Sequence, residues 1–309
     1  SIIIATTATI GEHALVIADS LANQRFTNLT VRKSLSACLL PKFVFYYMFV
    51  IDEWCKRNVN AGNFASVDMK RFKKLEFPLP PIEVQTEIVR ILDKFTSLEA
   101  ELEAELDCRK RQYEYYRDKL LSFDNVGGQE VEWKKMSEIC EINRGKRVVR
   151  KELELKGDIP VFQNSLIPLG YYHESNYPAN TTFVISAGAA GNVGFCDRNF
   201  WAADDCLCFT CSENLTDKYV YYFLMTKQAY LLSRVRKASI PRLSRTVVER
   251  LSIPIPSLEE QDRIVSILDR FESLTTSLQS GLPAEIAARR QQYEHYRDKL
   301  LTFKRKGAA

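Results

Sequence analysis

Arg234-Val-Arg-Lys-Ala-Ser-Ile-Pro-Arg-Leu-Ser-Arg245 sets five cationic side chains among hydroxyls and small residues. Such groups pair with phosphate oxygens and, where they reach a groove, donate bidentately to guanine. Arg236, Lys237, Ser239, Arg242 and Arg245 are therefore candidates for contact with duplex DNA. A second basic run, Arg144-Gly-Lys-Arg-Val-Val-Arg-Lys151, offers Arg144, Lys146, Arg147, Arg150 and Lys151, although a solvated surface run accounts for it equally well. Asn164, Ser165, Ser186 and Asn192 fall near expected turns and have the polarity to reach base edges; turn formation alone also explains them. An earlier polar loop, Lys56-Arg-Asn-Val-Asn-Ala-Gly-Asn-Phe-Ala-Ser66 with Lys70 beyond it, adds Lys56, Arg57, Asn60, Asn63 and Lys70; for this loop and for 234–245 a plain surface loop is the alternative.

Other chemistry is poorly supplied. Ser186-Ala-Gly-Ala-Ala-Gly-Asn-Val-Gly194 lacks both GxGxxG spacing and the Lys-Ser/Thr of a P-loop, so it reads as a tight turn between strands. Cys206, Cys208 and Cys211, with Cys196 nearby, contain a Cys-x-x-Cys, and four thiolates can hold zinc. The run Cys206-Leu-Cys-Phe-Thr-Cys211 nevertheless reads as a strand, and no second knuckle presents another pair. Buried free thiols are the expectation, and no metal site is assigned. His13, His173 and His295 stand alone. With no nucleophile and base arrangement, no cofactor loop and no Asn-Pro-Pro-aromatic motif, the chain is expected to carry neither a catalytic centre nor a cofactor of its own.

The elements that would position these loops come from an internal repeat. Val84–Phe95 matches Glu260–Phe271 at seven of twelve positions, and Gln112–Phe123 matches Gln292–Phe303 at ten of twelve. The offsets are 176 and 180, so the second copy has gained four residues between these segments. Upstream, Lys42–Met48 parallels Lys218–Leu224, and Leu75–Pro80 parallels Leu251–Pro256. The stretch ending in Ile10-Gly11 resembles the one ending in Val193-Gly194, which leaves Glu130 to about Asn180 without a partner in the first copy. The first block is expected to lack its opening portion, and a chain starting Ser1-Ile-Ile-Ile is expected to begin inside a domain. The aromatic runs at 43–49 and 219–223 have helical spacing and are expected in cores.

Prolines at 78, 80 and 81 place a helix start near Ile82, and Ser257-Leu-Glu-Glu260 has the capping-box pattern. From 82 to 121 the apolar residues recur at three- and four-residue steps, which gives a rod of about 60 Å. Such a rod needs a partner. The equivalent seam of the other copy supplies one as an antiparallel pair, with Ile91, Phe95, Leu98 and Leu102 facing Ile267, Phe271, Leu274 and Leu278. Packing of each helix on its own block is the competing arrangement. Gly281-Leu-Pro283 should interrupt the second rod. The pair would act as a spacer related by a pseudo-twofold, with one globular block at each end.

At 46% apolar residues, 309 positions suffice for two domains of mixed α/β (α+β) class. No apolar run approaches the ~18 residues of a membrane span. Eight scattered cysteines in a chain this size fit a reducing cytoplasm. The net charge of +4 is unevenly spread: residues 1–80 hold 10 Lys+Arg against 6 Asp+Glu and residues 130–253 hold 17 against 14, whereas residues 81–129 hold 7 against 11. The basic excess thus lies in the two blocks, where nucleic acid contact would need it.

Pro-Leu-Pro-Pro-Ile-Glu-Val-Gln at 78–85 and Pro-Ile-Pro-Ser-Leu-Glu-Glu-Gln at 254–261 are each followed by Ile-Val-x-Ile-Leu-Asp and later by Tyr-x-x-Tyr-Arg-Asp-Lys-Leu-Leu. This pattern resembles the conserved regions of type I restriction-modification specificity subunits. Val131–Ile139 through Gly145-Lys146 resembles the start of that family's target recognition domains. The resemblance implies target recognition domains at 1–80 (a C-terminal portion only) and 125–253, with conserved spacer helices at 81–124 and 254–309. It also implies that each domain reads half of a split sequence in double-stranded DNA. Two modification (methyltransferase) subunits would dock on the helices, with optional restriction (motor-nuclease) subunits outside them. S-adenosylmethionine would belong to the modification subunit, and ATP and Mg to the motor subunit. The rival from another class is a structural coiled-coil adaptor whose blocks bind protein rather than DNA.

Overall fold

The computed structural model describes residues 1–60, 65–123, 131–277 and 279–304, a mixed α/β chain that divides into two units. Unit 1 comprises Ser1–Leu106 with Leu278–Ala309, and unit 2 comprises Asp107–Ser277. In unit 1, β1 (Ile2–Ala5), β2 (His13–Leu15) and β3 (Phe26–Leu29) form an antiparallel sheet in the order β2-β1-β3. Helix α1 (Pro41–Arg57) begins on a proline, whose missing amide is harmless there, and buries Phe43, Tyr46 and Met48. A hairpin of β4 (Val59–Asn60) and β5 (Ser66–Val67) follows, then α2 (Met69–Phe72) and α3 (Ile82–Ser122).

Unit 2 takes α3 from residue 107, then β6 (Glu132–Lys135), α4 (Met136–Ile139), β7 (Cys140–Arg144), β8 (Ile159–Phe162) and β9 (Gly170–Tyr172). Next come β10 (Thr181–Ile185), β11 (Val193–Cys196), β12 (Trp201–Ala202) and β13 (Cys206–Cys211). The unit ends with α5 (Asp217–Thr226), α6 (Gln228–Ser233), α7 (Arg245–Glu249), β14 (Ser252–Ile255) and α8 (Leu258–Thr276). Its main sheet runs β11-β10-β13-β7, with a smaller β12-β8-β9 sheet and the pair β14-β6 beside it. The last helix, α9 (Gly281–Leu300), returns the chain to unit 1.

Backbone hydrogen bonds define which elements repeat. The amide of Ala5 donates to Glu12 O, that of Thr6 to Arg25 O and that of Gly11 to Ala5 O; Ile185, Ser186 and Gly191 donate to Asn192, Asp205 and Ile185 in the same pattern. Strands β1, β2 and β3 are therefore equivalent to β10, β11 and β13, at offset 180. This corrects the match of Gly11 with Gly194: its counterpart is Gly191, and both adopt left-handed backbone (φ 79° and 90°) that a Cβ would strain. By the same offset Ser1 corresponds to Thr181, and β6 to β9 have no counterpart among the described residues of unit 1.

The long helices pack both ways. Ile88 and Leu92 of α3 are buried with Phe43 and Tyr46 of α1, as Ile264 and Leu268 of α8 are buried with Tyr219 and Tyr222 of α5. The second contact is helix on helix. In unit 1, Phe95 stacks on Tyr296 of α9 (5.6 Å, 25°), and Arg290 reaches Glu99 and Glu103 further along α3. In unit 2, Phe271 stacks on Tyr116 (5.9 Å, 24°), and Leu120 and Leu121 join the core that holds Ile264 and Leu268. Both pairs run antiparallel. Burial lifts the phenols of Tyr113 and Tyr293, which flank these stacks, to about 12.

An antiparallel helix pair is thus present within each unit, but the expected facing is corrected: Phe95 meets Tyr296 and Phe271 meets Tyr116, not each other. Ile91, Phe95, Leu98, Leu102, Ile267 and Phe271 are only half-buried, because each helix turns its most buried stripe toward its block. Leu274 is corrected outward, at 36% exposure, and Leu278 lies outside the described residues. The second rod is interrupted where expected: α8 stops at Thr276, and Gly281 (φ 81°) opens α9. The capping box is half-formed. Ser257 Oγ accepts the amide of Glu260 at 3.3 Å, but the Glu260 carboxylate is held by Arg263 instead.

A repeated clamp joins block to helix. The Gln85 side chain, fully buried, accepts the Leu40 amide and donates to Cys38 O and Pro80 O at 2.7–3.0 Å. Gln261, also fully buried, does the same for Thr216, Asn214 and Pro256. Lys42 and Tyr46 converge on Asp93, as Lys218 and Tyr222 do on Asp269. Burial, and then the adjacent carboxylate, push both phenols upward. Replacing Gln85 or Gln261 by Ala strands buried backbone groups, each costing about 1–3 kcal/mol. The expected result is a lower urea midpoint for either variant, and an unchanged midpoint would remove the clamp from the account.

Candidate nucleic-acid interface

Because the main sheet of unit 2 is antiparallel, the ends of β7 and β10 and the beginnings of β11 and β13 lie at one sheet end. The chain leaving β7 at 145, the 186–192 connection and the approach to β13 at 203–205 consequently lie together. The 234–244 segment is tied to the same end: Arg236 and Arg242 exchange backbone hydrogen bonds at 2.8 and 3.2 Å, Gly188 donates to Pro241 O, and Leu243 donates to Ser186 O. Asn164 enters through its carbonyl, which accepts the Ala189 amide at 2.9 Å. The turn between β10 and β11 thus links the basic 234–245 loop to Asn164.

The other basic run is fastened to this end by backbone contacts. Gly145 donates to Cys206 O and Lys146 to Ala202 O, while Trp201 Nε1 donates to Lys146 O at 2.7 Å. Nothing in the sequence singled out Trp201 for this role. A Cβ on Gly145 would stand 2.1 Å from the Ala202 carbonyl oxygen and 2.4 Å from that of Ala203, both rigid backbone. Gly145→Ala should therefore force the strand end apart, with a loss of about 1–3 kcal/mol. Its thermal midpoint should fall and the Arg144–Lys151 run should become more open to protease; wild-type behaviour in both assays would contradict this placement.

Among the described residues, Arg144, Lys146, Arg147, Arg150, Lys151, Arg236, Lys237 and Arg242 are exposed and make no ion pair. Ser239 is exposed beside them. Arg245 is engaged with Glu249 at 2.6 Å, and Arg234 lies over the Tyr230 ring. The Asn164 side chain is exposed, whereas Ser165 closes a local turn on Ile167. Asn192 is half-buried and accepts from Gln228. Ser186 is a correction: it is 3% exposed and donates to Asp205 O, so its hydroxyl braces the turn and does not face solvent. Asp204, unnoticed in the sequence, holds a buried carboxylate oxygen without a hydrogen-bond partner at this same sheet end.

Unit 1 repeats the arrangement with a different charge. Asn60 pairs with Ser66, Ser66 bridges to Thr7, and Val67 donates to Thr6 O, matching Arg236, Arg242, Ala187 and Leu243 in unit 2. The two polar loops singled out in the sequence therefore occupy equivalent positions. Lys56 and Arg57 are shared with Glu53, at 2.7 and 4.0 Å; Asn60 and Lys70 are exposed, and Asn63 lies outside the described residues. His13, which the sequence left unassigned, sits between Phe45 and Phe49 with its Nδ1 2.5 Å from Asp52.

The 186–194 stretch is the expected turn between strands. Cys206, Cys208 and Cys211 fall on β13, as the sequence suggested, with Cys196 on β11. Burial raises the Cys206 thiol to about 12 and drives Cys208 higher still, which keeps both protonated and disfavours them as ligands. No three potential ligands converge among the described residues. No helix among them is long and apolar enough to cross a membrane.

Comparison with known proteins places this geometry. The family described as "Type I restriction modification DNA specificity domain" matches residues 1–107 and 129–288. The Escherichia coli type I restriction enzyme EcoprrI specificity subunit is 38% identical over 296 residues, covering 90% of this chain and 72% of that protein. The Escherichia coli EcoR124I/EcoR124II specificity subunit is 34% identical over 299 residues, covering 85% and 71%. Among solved structures, a type I restriction-modification S subunit from M. genitalium aligns with a TM-score of 0.62 at 18% identity, over 97% of this chain and 81% of that one. A chain from a structure of a type I R-M system aligns with a TM-score of 0.70 at 16% identity and the same coverage. At these identities the structures establish likeness of fold.

Proposed function

Since the chain belongs to the type I restriction-modification specificity-subunit family, we propose that it reads a bipartite sequence in double-stranded DNA for a methyltransferase complex. Residues 1–80 are the C-terminal portion of one target recognition domain and 125–253 are the other, and the helices of 81–124 and 254–309 dock two modification subunits. A restriction subunit can join them. Methylation with S-adenosylmethionine and ATP-driven motion with Mg belong to those partners, and this chain is the non-catalytic reader.

The observation that carries this reading is the repeated loop. Hairpins at Asn60/Ser66 and Arg236/Arg242 hang on equivalent turns of equivalent sheets, and the second adds exposed, unpaired cations beside those of Arg144–Lys151. Loops carried on a rigid sheet end are where recognition residues gather. Phosphate contacts would set the register, and donors such as Arg236 or Arg242 would read base edges.

The deciding experiment is coexpression with the cognate methyltransferase subunit, followed by sequencing of methylated sites. A split motif that changes when residues 125–253 are exchanged for those of a relative supports the assignment. Methylation that ignores the exchange refutes it. In parallel, log affinity for a duplex should fall steeply with log salt; a flat dependence would favour a protein-binding adaptor.

A further inference from the structure

Two cysteines of unit 2 stand side by side across the main sheet. β7 forms an edge of that sheet and pairs with β13 in a register that sets Cys140 directly opposite Cys211. The amide of Ser212 donates to Ile139 O at 3.0 Å, the bond that flanks a non-hydrogen-bonded pair. At such a pair the two Cα atoms are only about 4.5 Å apart, and the side chains leave one face of the sheet at their closest approach. A disulfide spans Cα separations from about 4.4 to 6.8 Å, so the register already holds the backbone where a bridge needs it.

The sulfurs use that closeness. The side chains of Cys140 and Cys211 are hydrogen-bonded to each other, and both thiols are free. Cys140 is 6% exposed in the core of unit 2, whereas Cys211 is half-buried against that core, so a reagent reaches Cys211 first. Cys196, Cys206 and Cys208 face Thr181, Ile185 and Phe183 across their ladders instead of a second thiol.

We propose that Cys140 and Cys211 form a redox modification site, a dithiol that a small-molecule disulfide such as oxidised glutathione converts to a cystine. The Cys211 thiolate attacks one sulfur of the oxidant, which forms a mixed disulfide and releases one thiol. Cys140 then gives up its proton, attacks the Cys211 sulfur and expels the second thiol. Two electrons pass from the cysteine pair to the oxidant, and both protons end on the released thiols. The hydrogen bond with Cys140, then burial and the charges of Cys140 and Asp217, hold the Cys211 thiol well above its ordinary range. The first attack is therefore slow near neutral pH and quickens as pH rises.

The bridge fastens an edge strand at the end opposite Arg144 and closes a loop over residues 141–210, which carries the Arg144–Lys151 run and the 186–192 turn. Closing so long a loop confines the unfolded chain, so oxidation stabilises unit 2 without touching those side chains. The proposal stands apart from DNA contact.

The test incubates the full chain with oxidised glutathione at mildly alkaline pH and maps disulfides in a non-reducing digest. A Cys140–Cys211 link is expected, with a thermal midpoint raised by about 5 °C or more and full reversal by dithiothreitol. Cys211→Ser should show neither the link nor the rise, whereas Cys108→Ser, which removes an exposed thiol on α3, should keep both. The digest reads the wild-type chain, so the outcome does not depend on how well Cys211→Ser folds. A glutathione adduct that persists on Cys211, linkage of either residue to another cysteine, or a link that lowers the midpoint would overturn the proposal. So would a pair that stays reduced under a large excess of the oxidant.

Discussion

Lys237→Ala combined with Arg242→Ala should weaken binding of a cognate duplex to the reconstituted methyltransferase complex by on the order of 10²-fold at moderate salt. Each lost phosphate or base-edge contact is worth about 1–3 kcal/mol, and a tenfold change is about 1.4 kcal/mol. The salt dependence identifies the kind of contact. If both side chains meet phosphates, the slope of log affinity against log salt flattens by about 1.8; if Arg242 reads a guanine, it flattens less and discrimination at one base relaxes. Both side chains are exposed and make no ion pair, so thermal melting and assembly with the methyltransferase should be unaltered. Fluorescence titration at several salt concentrations measures the affinity and the slope, and a thermal melt with size-exclusion chromatography checks fold and assembly. Unchanged affinity and slope would remove the 234–245 loop from the interface.

Leu268→Asp should be the most damaging single change to the fold, and Leu92→Asp its match in unit 1. Both side chains have no exposed surface and sit where helix meets block. A carboxylate there loses the transfer energy of the leucine and takes on an unpaired buried charge, for a total above roughly 4 kcal/mol, a large share of a domain's stability. Leu274→Asp is the control. At 36% exposure it should change stability by only about 0.5 kcal/mol, even though periodicity puts Leu274 in the same seam. Circular dichroism melts of the three variants separate the cases: equal losses at Leu268 and Leu274 would mean that the helix pair, and not the block, sets the burial.

That contrast shows where the sequence was sufficient. Spacing and proline placement located the start of α3 at Ile82 and the break before Gly281, because both depend on local backbone chemistry. The repeat identified two equivalent polar loops, and the structure hangs them on equivalent turns. The orientation of the helices was less legible. A period of 3.6 defines an apolar stripe wide enough for two neighbours, and it does not say which part of the stripe each one takes. Gln85 and Gln261 close the two repeated motifs, yet their role was not legible, since a buried polar side chain is justified only by the backbone groups that surround it. The glycine match slipped by three residues because letters were aligned, whereas the turn is defined by positive φ at Gly11 and Gly191. Within the interface, Ser186 could not be told from an exposed serine until its bond to Asp205 O was placed.

The pairing of Arg290 with Glu99 spans 191 positions of sequence. During vectorial synthesis, residues up to Leu106 leave the ribosome about 175 residues before α9 begins, an interval on the order of 10–40 s at ~5–20 residues per second. Unit 2 closes its own helix contact earlier, once α8 emerges. Until α9 follows, nascent unit 1 displays Phe95 and its neighbours without their cover, a stretch that a chaperone would have to protect.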